Sequence, residues 1–231
     1  MTATEKARAP LSRDRVLRAA VSLADREGID SLSMRRVGTE LGVEAMSLYN
    51  HVANKEDLLD GMLDVVLGEI EPALEDEGDW RRVFHDRALS ARRALQRHPW
   101  ASEVIASRIN PTPSMLAYLD SMIGVVRRAG FSLDLTHHAM HTLGSRALGF
   151  SQELFEESGD VDVDPATMDL MVKQMAAQFP YAAEIATKVR HDNESVVGAG
   201  CDDQFEFEFG LNLILDGLER LRLGEADRSG A

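Results

Sequence analysis

"SMRRVGTELGVEAMSLYNHVANK", residues 33–55, holds two short helical patterns on either side of a glycine. Ser33 caps a helix over 33–41 whose inner face carries Met34, Val37 and Leu41. Gly42 stands where a tight turn must follow. A second helix over 44–50 buries Leu48, with Val43 ahead of it and Val52 just beyond its end. Its other side shows Met46, Ser47, Tyr49 and Asn50, and His51 and Lys55 come after. Two short helices around a turn, the second with one exposed polar face, form the helix-turn-helix pattern. Such a second helix enters a groove about 12 Å wide and offers side chains to base edges or phosphates. Ser47, Tyr49 and Asn50 suit that task. His51 and Lys55 stand where the phosphate backbone passes, and Arg35 reaches a base or phosphate from the side. Asn54 and Lys55 also lie at the amino end of the next helix, where N–H groups favour anions. The spacing alone also fits a helical bundle that never touches DNA.

Outward from this stretch, helical periodicity dominates and no alternating strand pattern or internal repeat stands out. The chain reads as all-α. Val16, Ala20, Leu23 and Ala24 form the stripe of a first helix over 12–27, capped by Ser12 and stopped by Gly28. Asn54 and Asp57 form a capping-box-like pair for a fourth helix, which Pro72 stops. "EDEGD" (75–79) reads as a loop and a domain boundary. Further helices are expected near 80–97, 99–108, 113–129, 132–156, 165–178, 181–190 and 204–222, with Thr112-Pro113, Ser132 and Asp164-Pro165 as start signals and Gly130 as a stop. "ESGDVDVD" (157–164) and "HDNESVVGAGCDD" (191–203) read as mobile loops.

The 231 residues, 44% of them apolar, suffice for a buried core. No run of 18 uncharged apolar residues exists, so no membrane-spanning helix is expected. The N-terminal segment has no apolar stretch of the signal-peptide kind. A single cysteine, Cys201, forms no internal disulfide, which points to the cytoplasm. The net charge of −14 argues against nucleic acid only until it is divided along the chain. Residues 1–60 hold 9 Lys+Arg and 10 Asp+Glu, whereas residues 61–231 hold 16 and 29. Phosphate binding depends on the local field, which salt screens over about 10 Å. An acidic rear is therefore compatible with a DNA-binding front.

The longer stretch "VLRAAVSLADREGIDSLSMRRVGTELGVEAMSLYNHVANKEDLLDGML" resembles the N-terminal domain of the tetracycline-repressor (TetR) family. "SMRRVGTELGV", "SLYNHV" and "NKEDLL" occur in order and at the family's spacing. The rear resembles the tetracycline-repressor-type C-terminal domain through "ALSARRAL" (88–95), "RRAGFSL" (127–133), "LGF" (148–150) and "FEFGLNLILDGLERL" (207–221). The resemblance implies a helix-turn-helix DNA-binding domain over 10–71 and a ligand-binding and dimerisation domain over 72–231. It sets Ser33, Arg35, Ala45, Met46, Ser47, Tyr49, Asn50, His51 and Lys55 against double-stranded operator DNA. Tyr49, His51 and Lys55 match the family pattern, whereas Ala45 and Met46 replace the Gln-Pro pair of the tetracycline repressors themselves. Ala45 has no hydrogen-bonding group, and Met46 offers an apolar contact to a thymine methyl. The expected operator therefore differs from a tetracycline operator.

For the rear domain, the resemblance implies a small-molecule cavity lined by Glu71, Arg87, Ala91, Ile105, Arg108, Leu119, Met122, His137, Met140, His141, Gly144 and Glu153. Ligand binding there would move the fourth helix and re-space the reading heads. The family's metal-binding histidine falls at Ile105, which cannot coordinate Mg²⁺, so neither metal nor cofactor is expected. His137 and His141 share a helix face at a spacing that can bind zinc, but "HHAMH" lacks a nearby Cys or carboxylate to complete the site. The last helix carries Phe205, Phe209, Leu213, Leu218 and Leu221, and the helix over 132–156 carries Leu135, Ala139, Leu143, Ala147 and Phe150. Both sets can line a monomer core. The resemblance implies instead a homodimer in which these helices meet their copies, with Gly144, Gly149 and Gly217 allowing close approach. An enzyme would need a phosphate loop, a nucleophile with its base, or paired catalytic carboxylates, and none stands out. The expected function is a ligand-responsive DNA-binding repressor. Its rival is a helical small-molecule binder without DNA recognition.

Overall fold

Short polar side chains start the first helices, as the sequence leads one to expect. Helix α1 (Arg13–Glu27) begins where the Ser12 hydroxyl accepts from the Arg15 N–H, and it ends at Gly28 with φ 78°. Helix α2 (Met34–Leu41) begins where Ser33 accepts from the Arg36 N–H. Helix α3 (Ala45–Leu48) follows, and α4 (Lys55–Leu67) starts where the Asn54 side chain accepts from the Asp57 N–H. A 3-10 turn at Ile29–Ser31, which periodicity did not signal, links α1 to α2. This computed structural model describes residues 10–71, 79–149 and 203–229 and parts of 170–184; among them no strand occurs. The helices expected over 165–178 and 181–190 appear there only in part. The loops expected over 157–164 and 191–203 lie outside the described residues, as does Cys201, except that Asp203 already belongs to the last helix.

Residues 1–136 and 137–231 form two compact units. In the first, Val16, Ala20, Leu23, Val37, Leu48, Val52, Leu58 and Met62 pack into the core that unites α1 to α4. Leu48 is fully buried. Truncating such a leucine to alanine costs about 2–5 kcal/mol. Helix α3 is shorter than the expected 44–50: residues 49–51 continue as turn, with the Tyr49 N–H bonded to Met46 O at 3.3 Å and the His51 N–H to Leu48 O at 2.8 Å. Helix α4 gives way to turn at Gly68 rather than running on to Pro72.

The same unit continues with α5 (Trp80–Arg97), α6 (Trp100–Ser107) and α7 (Pro113–Arg128). Asp79 caps α5 through the Arg81 and Arg82 N–H groups, and Thr112 caps α7 through Met115. Helix α4 touches α1, α5, α6 and α7, so it is the element shared by the first helix and the helices that follow. Trp100, Ala101 and Val104 of α6 join the core formed by α1 to α4.

Helix α8 (Leu133–Gly149) runs into the second unit, which also holds α9 (Asp203–Ser229). Arg146 of α8 donates to Glu206 O at 2.8 Å and lies over the Phe207 ring. Phe207, Leu211, Leu215 and Leu218 form the buried stripe of α9.

Two glycines set the turn between α2 and α3. Gly42 takes the left-handed conformation, φ 64° and ψ 41°, which costs a residue with a Cβ more than it costs glycine. Its N–H bonds to Thr39 O at 3.1 Å, and the Val43 N–H bonds to Gly38 O at 2.9 Å, so the last turn of α2 is closed. Gly38 lets α3 come close: a Cβ there would stand 2.8 Å from Val43 O and 3.2 Å from Ala45 N. At an open helix position, Gly→Ala stabilises by up to about 1 kcal/mol. Gly38→Ala should instead destabilise, by about 1–3 kcal/mol, because backbone must move. Urea unfolding would check this, and a stabilised variant would contradict the close approach.

Candidate nucleic-acid interface and ligand-facing residues

Helix α3 presents the flank read from the sequence. Met46 is 75% exposed and Tyr49 45% exposed, Asn50 is exposed, and Ala45, Ser47 and His51 are half-buried at the edges. Leu48 faces the core from the opposite side. Ser33 is half-buried, with its hydroxyl engaged as the α2 cap, and Arg35 is exposed in the first turn of α2. Lys55, also exposed, is the first residue of α4.

The charges of this front are mostly spoken for. Arg13 pairs with Asp57, Arg18 with Asp14, Arg26 with Glu40 and Arg36 with Glu27. Arg15 donates to Pro10 O at 2.7 Å. Arg35 and Lys55 are the two cations among the described residues 10–71 whose side chains have no partner within the chain. Both were expected to meet DNA. A cation held by an internal carboxylate must give up that pairing to meet phosphate, whereas these two need give up nothing but water.

One carboxylate fixes the far end of α3. Asp57 accepts from Arg13 through both oxygens, at 2.7 and 3.1 Å, and from the Ala53 N–H at 2.7 Å. Arg13 also donates to His51 O at 2.9 Å, so α1, the end of the reading segment and the start of α4 share one node. The Asn54 and Asp57 side chains thus occupy N–H groups at the start of α4 that the sequence leaves open to anions. The Arg13 hydrogen bond, helped by Ala53, holds the Asp57 carboxyl below its ordinary value of 3.8. A depressed carboxylate stabilises the fold above that ordinary value, and the contribution disappears as pH falls through the lowered one. Stability should therefore drop below about pH 4 in the wild type, and the drop should shrink in Asp57→Asn. Chemical denaturation at stepped pH measures it; identical acid limbs would contradict the node.

A second node joins α1 and the end of α4 to α5 and α6. Asp25 accepts from Trp100 Nε1 at 2.7 Å and lies 2.8 Å from Nδ1 of the buried His98. Glu69 takes Arg97 at 2.6 Å and lies 3.3 Å from His98 Nε2. Burial pushes the Glu69 carboxyl up, but the Arg97 and His98 hydrogen bonds outweigh it and leave the group below its ordinary value. Periodicity did not reveal this node, because its members lie up to 75 residues apart.

The residues expected to line a ligand cavity fall into separate groups. Arg87, Ala91 and Met122 are buried on α5 and α7, where Arg87 donates to Ser121 Oγ at 3.0 Å. Leu119 is exposed on α7. Ile105 packs against the core formed by α1 to α4. Arg108 pairs with Glu56 and Asp60 of α4, and Glu71 is exposed, 3.7 Å from Arg93. His137, Met140, His141 and Gly144 belong to α8 in the second unit, with the His137 and His141 rings 4.5 Å apart and both residues exposed. Among the described residues no cluster of three or more metal-ligating side chains occurs, and Glu153 lies outside them.

A helix-turn-helix front with a polar, partly cationic reading face, joined through α4 to further helices, defines a helical DNA-binding regulator. Residues 16–62 match the family described as "Bacterial regulatory proteins, tetR family", and residues 71–222 match "Tetracyclin repressor-like, C-terminal domain". The chain belongs to the TetR family of transcriptional regulators. It is 34% identical to the HTH-type transcriptional repressor DrrR1 of Streptomyces coeruleorubidus, over 94% of this chain and 81% of that protein. Apo ActR from Streptomyces coelicolor has the same fold, with a TM-score of 0.70 and 27% identity over 94% of this chain and 99% of that one. ActR in complex with actinorhodin matches at a TM-score of 0.68 and 26% identity, over 93% and 99% of the two chains.

Proposed function

We propose that this chain is a ligand-responsive repressor that reads operator DNA through α3 as a homodimer and is released when a small molecule binds its C-terminal domain. The observation that carries this reading is the reading face itself: an exposed Met46–Tyr49–Asn50 flank bracketed by the unpaired cations Arg35 and Lys55. On this reading residues 10–71 bind DNA, residues 72–231 sense and dimerise, and the protein works in the cytoplasm as a regulator rather than a catalyst. No helix among the described residues is long and apolar enough to cross a membrane. Ser33, Arg35, Ala45, Met46, Ser47, Tyr49, Asn50, His51 and Lys55 face the duplex, with Arg35 and Lys55 supplying charge and Tyr49 and Asn50 selectivity. A small-molecule site in the C-terminal domain is supported by ActR, whose fold this chain shares and which was solved with actinorhodin. Helix α4 transmits the signal: Arg108 and Thr112 hold it from the α6–α7 side, and Glu69 at its end holds Arg97.

Dimerisation is supported by α9. Its buried stripe is matched by a second apolar row, Phe205, Phe209, Leu213 and Leu221, each more than half exposed. A helix apolar on both faces needs a second cover. Of the positions expected on α8, Leu135, Ala139 and Leu143 are buried within the chain, Ala147 is half-buried and Phe150 lies outside the described residues. The α9 row is therefore the part of the proposed interface available to a second copy.

Two measurements test the reading. In gel shifts with the upstream DNA of its own gene, Tyr49→Ala should relax sequence preference, whereas Lys55→Ala should weaken binding to all sequences and flatten the salt slope by about one unit. Unaltered binding in both variants would remove α3 from the interface. By sedimentation at micromolar concentration the wild type should run as a dimer, and Phe209→Glu should yield monomer with much weaker operator binding. A monomeric wild type would refute the α9 interface.

A further inference from the structure

Helix α5 holds a buried cation that has no counter-charge among the described residues. Arg87 is 8% exposed. One of its N–H groups donates to Ser121 Oγ, its guanidinium carbon lies 4.8 Å from the centre of the Tyr118 ring, and its Nε has no partner. No carboxylate among the described residues lies within 4.0 Å of it. Ser121 is neutral and donates its own proton to Tyr118 O at 2.7 Å. Burial lifts the Tyr118 phenol above its ordinary value, outweighing Arg87, so the phenol stays uncharged at neutral pH. The nearby positions Ala91, one turn along α5, and Met122, beside Ser121, are buried and apolar. The contrast with Arg108 is plain, since that half-buried guanidinium has two carboxylates of α4.

A guanidinium out of water is strongly unfavourable unless an anion or a full set of acceptors meets it. Among the described residues only the Ser121 hydroxyl and the ring and phenol of Tyr118 meet it, all of them neutral, so no full negative charge answers the guanidinium. A protein that keeps such a group at a cost keeps it for something that arrives. We infer that the effector is an anion: an apolar molecule bearing a carboxylate or similarly forked oxyanion that pairs with Arg87 while its body lies against Tyr118 and the apolar walls of α5 and α7. The guanidinium fork matches that geometry, and the burial of Arg87 strengthens the pairing. The neutral counterpart of such a ligand would leave Arg87 as it is in the free protein and would gain only apolar contact. This inference rests on the sensor reading given above and adds the chemical class of what is sensed.

The test uses the full chain and two probes of one skeleton, the anionic 1-anilinonaphthalene-8-sulfonate and the neutral N-phenyl-1-naphthylamine, titrated by fluorescence in about 0.15 M salt to screen the surface. The wild type should bind the sulfonate saturably and at least about tenfold more tightly than the neutral probe. Arg87→Gln should lose about tenfold or more for the sulfonate and stay within about twofold for the neutral probe, and Arg87→Lys should recover part of the loss. The apo Arg87→Gln protein should melt no lower than the wild type, because an uncompensated charge has been removed. Saturable binding with the same probe ratio in wild type and Arg87→Gln would overturn the anion assignment and leave the sensor reading standing. Saturable binding of neither probe would overturn both. Loss of the fold in Arg87→Gln would make Arg87 a structural group and overturn the assignment.

Discussion

A helix of four residues has no stability of its own, since nucleation alone costs more than one turn returns. Everything the reading face does therefore depends on how α3 is held. Three contacts hold it. Leu48 and Val52 anchor it in the core of α1 to α4. The bare Cα of Gly38 lets the backbone of Val43 and Ala45 rest directly on α2. At its far end Arg13 holds His51 O and Asp57 together. The exposed ion pair adds little energy by itself, as surface pairs do. Its value is positional: it sets the end of the reading segment against the start of α4, so that Tyr49 and Lys55 keep a fixed separation.

Helix α4 gives the same constraint a mechanical consequence. It is the strut on which α3 ends and the surface against which α5, α6 and α7 rest. Its first turns are held by Arg13 on one side and Arg108 on the other, and Glu69, just past its end, meets His98 and Arg97. On the proposed reading, a shift of α5 around Arg87 would strain the Arg97–Glu69 tie at the end of α4. Coupling of this kind needs no distant relay, only a shared element with charged contacts at both ends.

Much of this was legible in the residues because short-range chemistry wrote it. Ser12, Ser33, Asn54 and Thr112 cap the helices they were expected to cap, and Gly28, Gly42 and Gly130 take positive φ at the expected stops. The exposed and buried sides of α3 followed from periodicity alone. What escaped depends on pairing across the chain. Gly38 looks like an indifferent helix residue until α3 lies on it. Asp57 looks like the third residue of a cap until Arg13 arrives from 44 residues away. Leu135, Ala139 and Leu143, expected at an interface on α8, are buried within the chain, because an apolar stripe does not say whether its cover comes from the same chain or a copy. Arg87 stood among a dozen ligand-facing candidates, and only burial without a carboxylate separates it from them.

The central claim is that the polar flank of α3 lies in the major groove of a duplex held by two copies of the chain. Protection of guanine N7 from dimethyl sulfate reports on that groove directly, because N7 is exposed only there. On a bound operator fragment, the account predicts two protected patches related by two-fold symmetry and centred about one helical turn, roughly 34–36 Å, or a multiple of it apart, lost together in Tyr49→Ala. A retarded complex that leaves every guanine N7 reactive would contradict it.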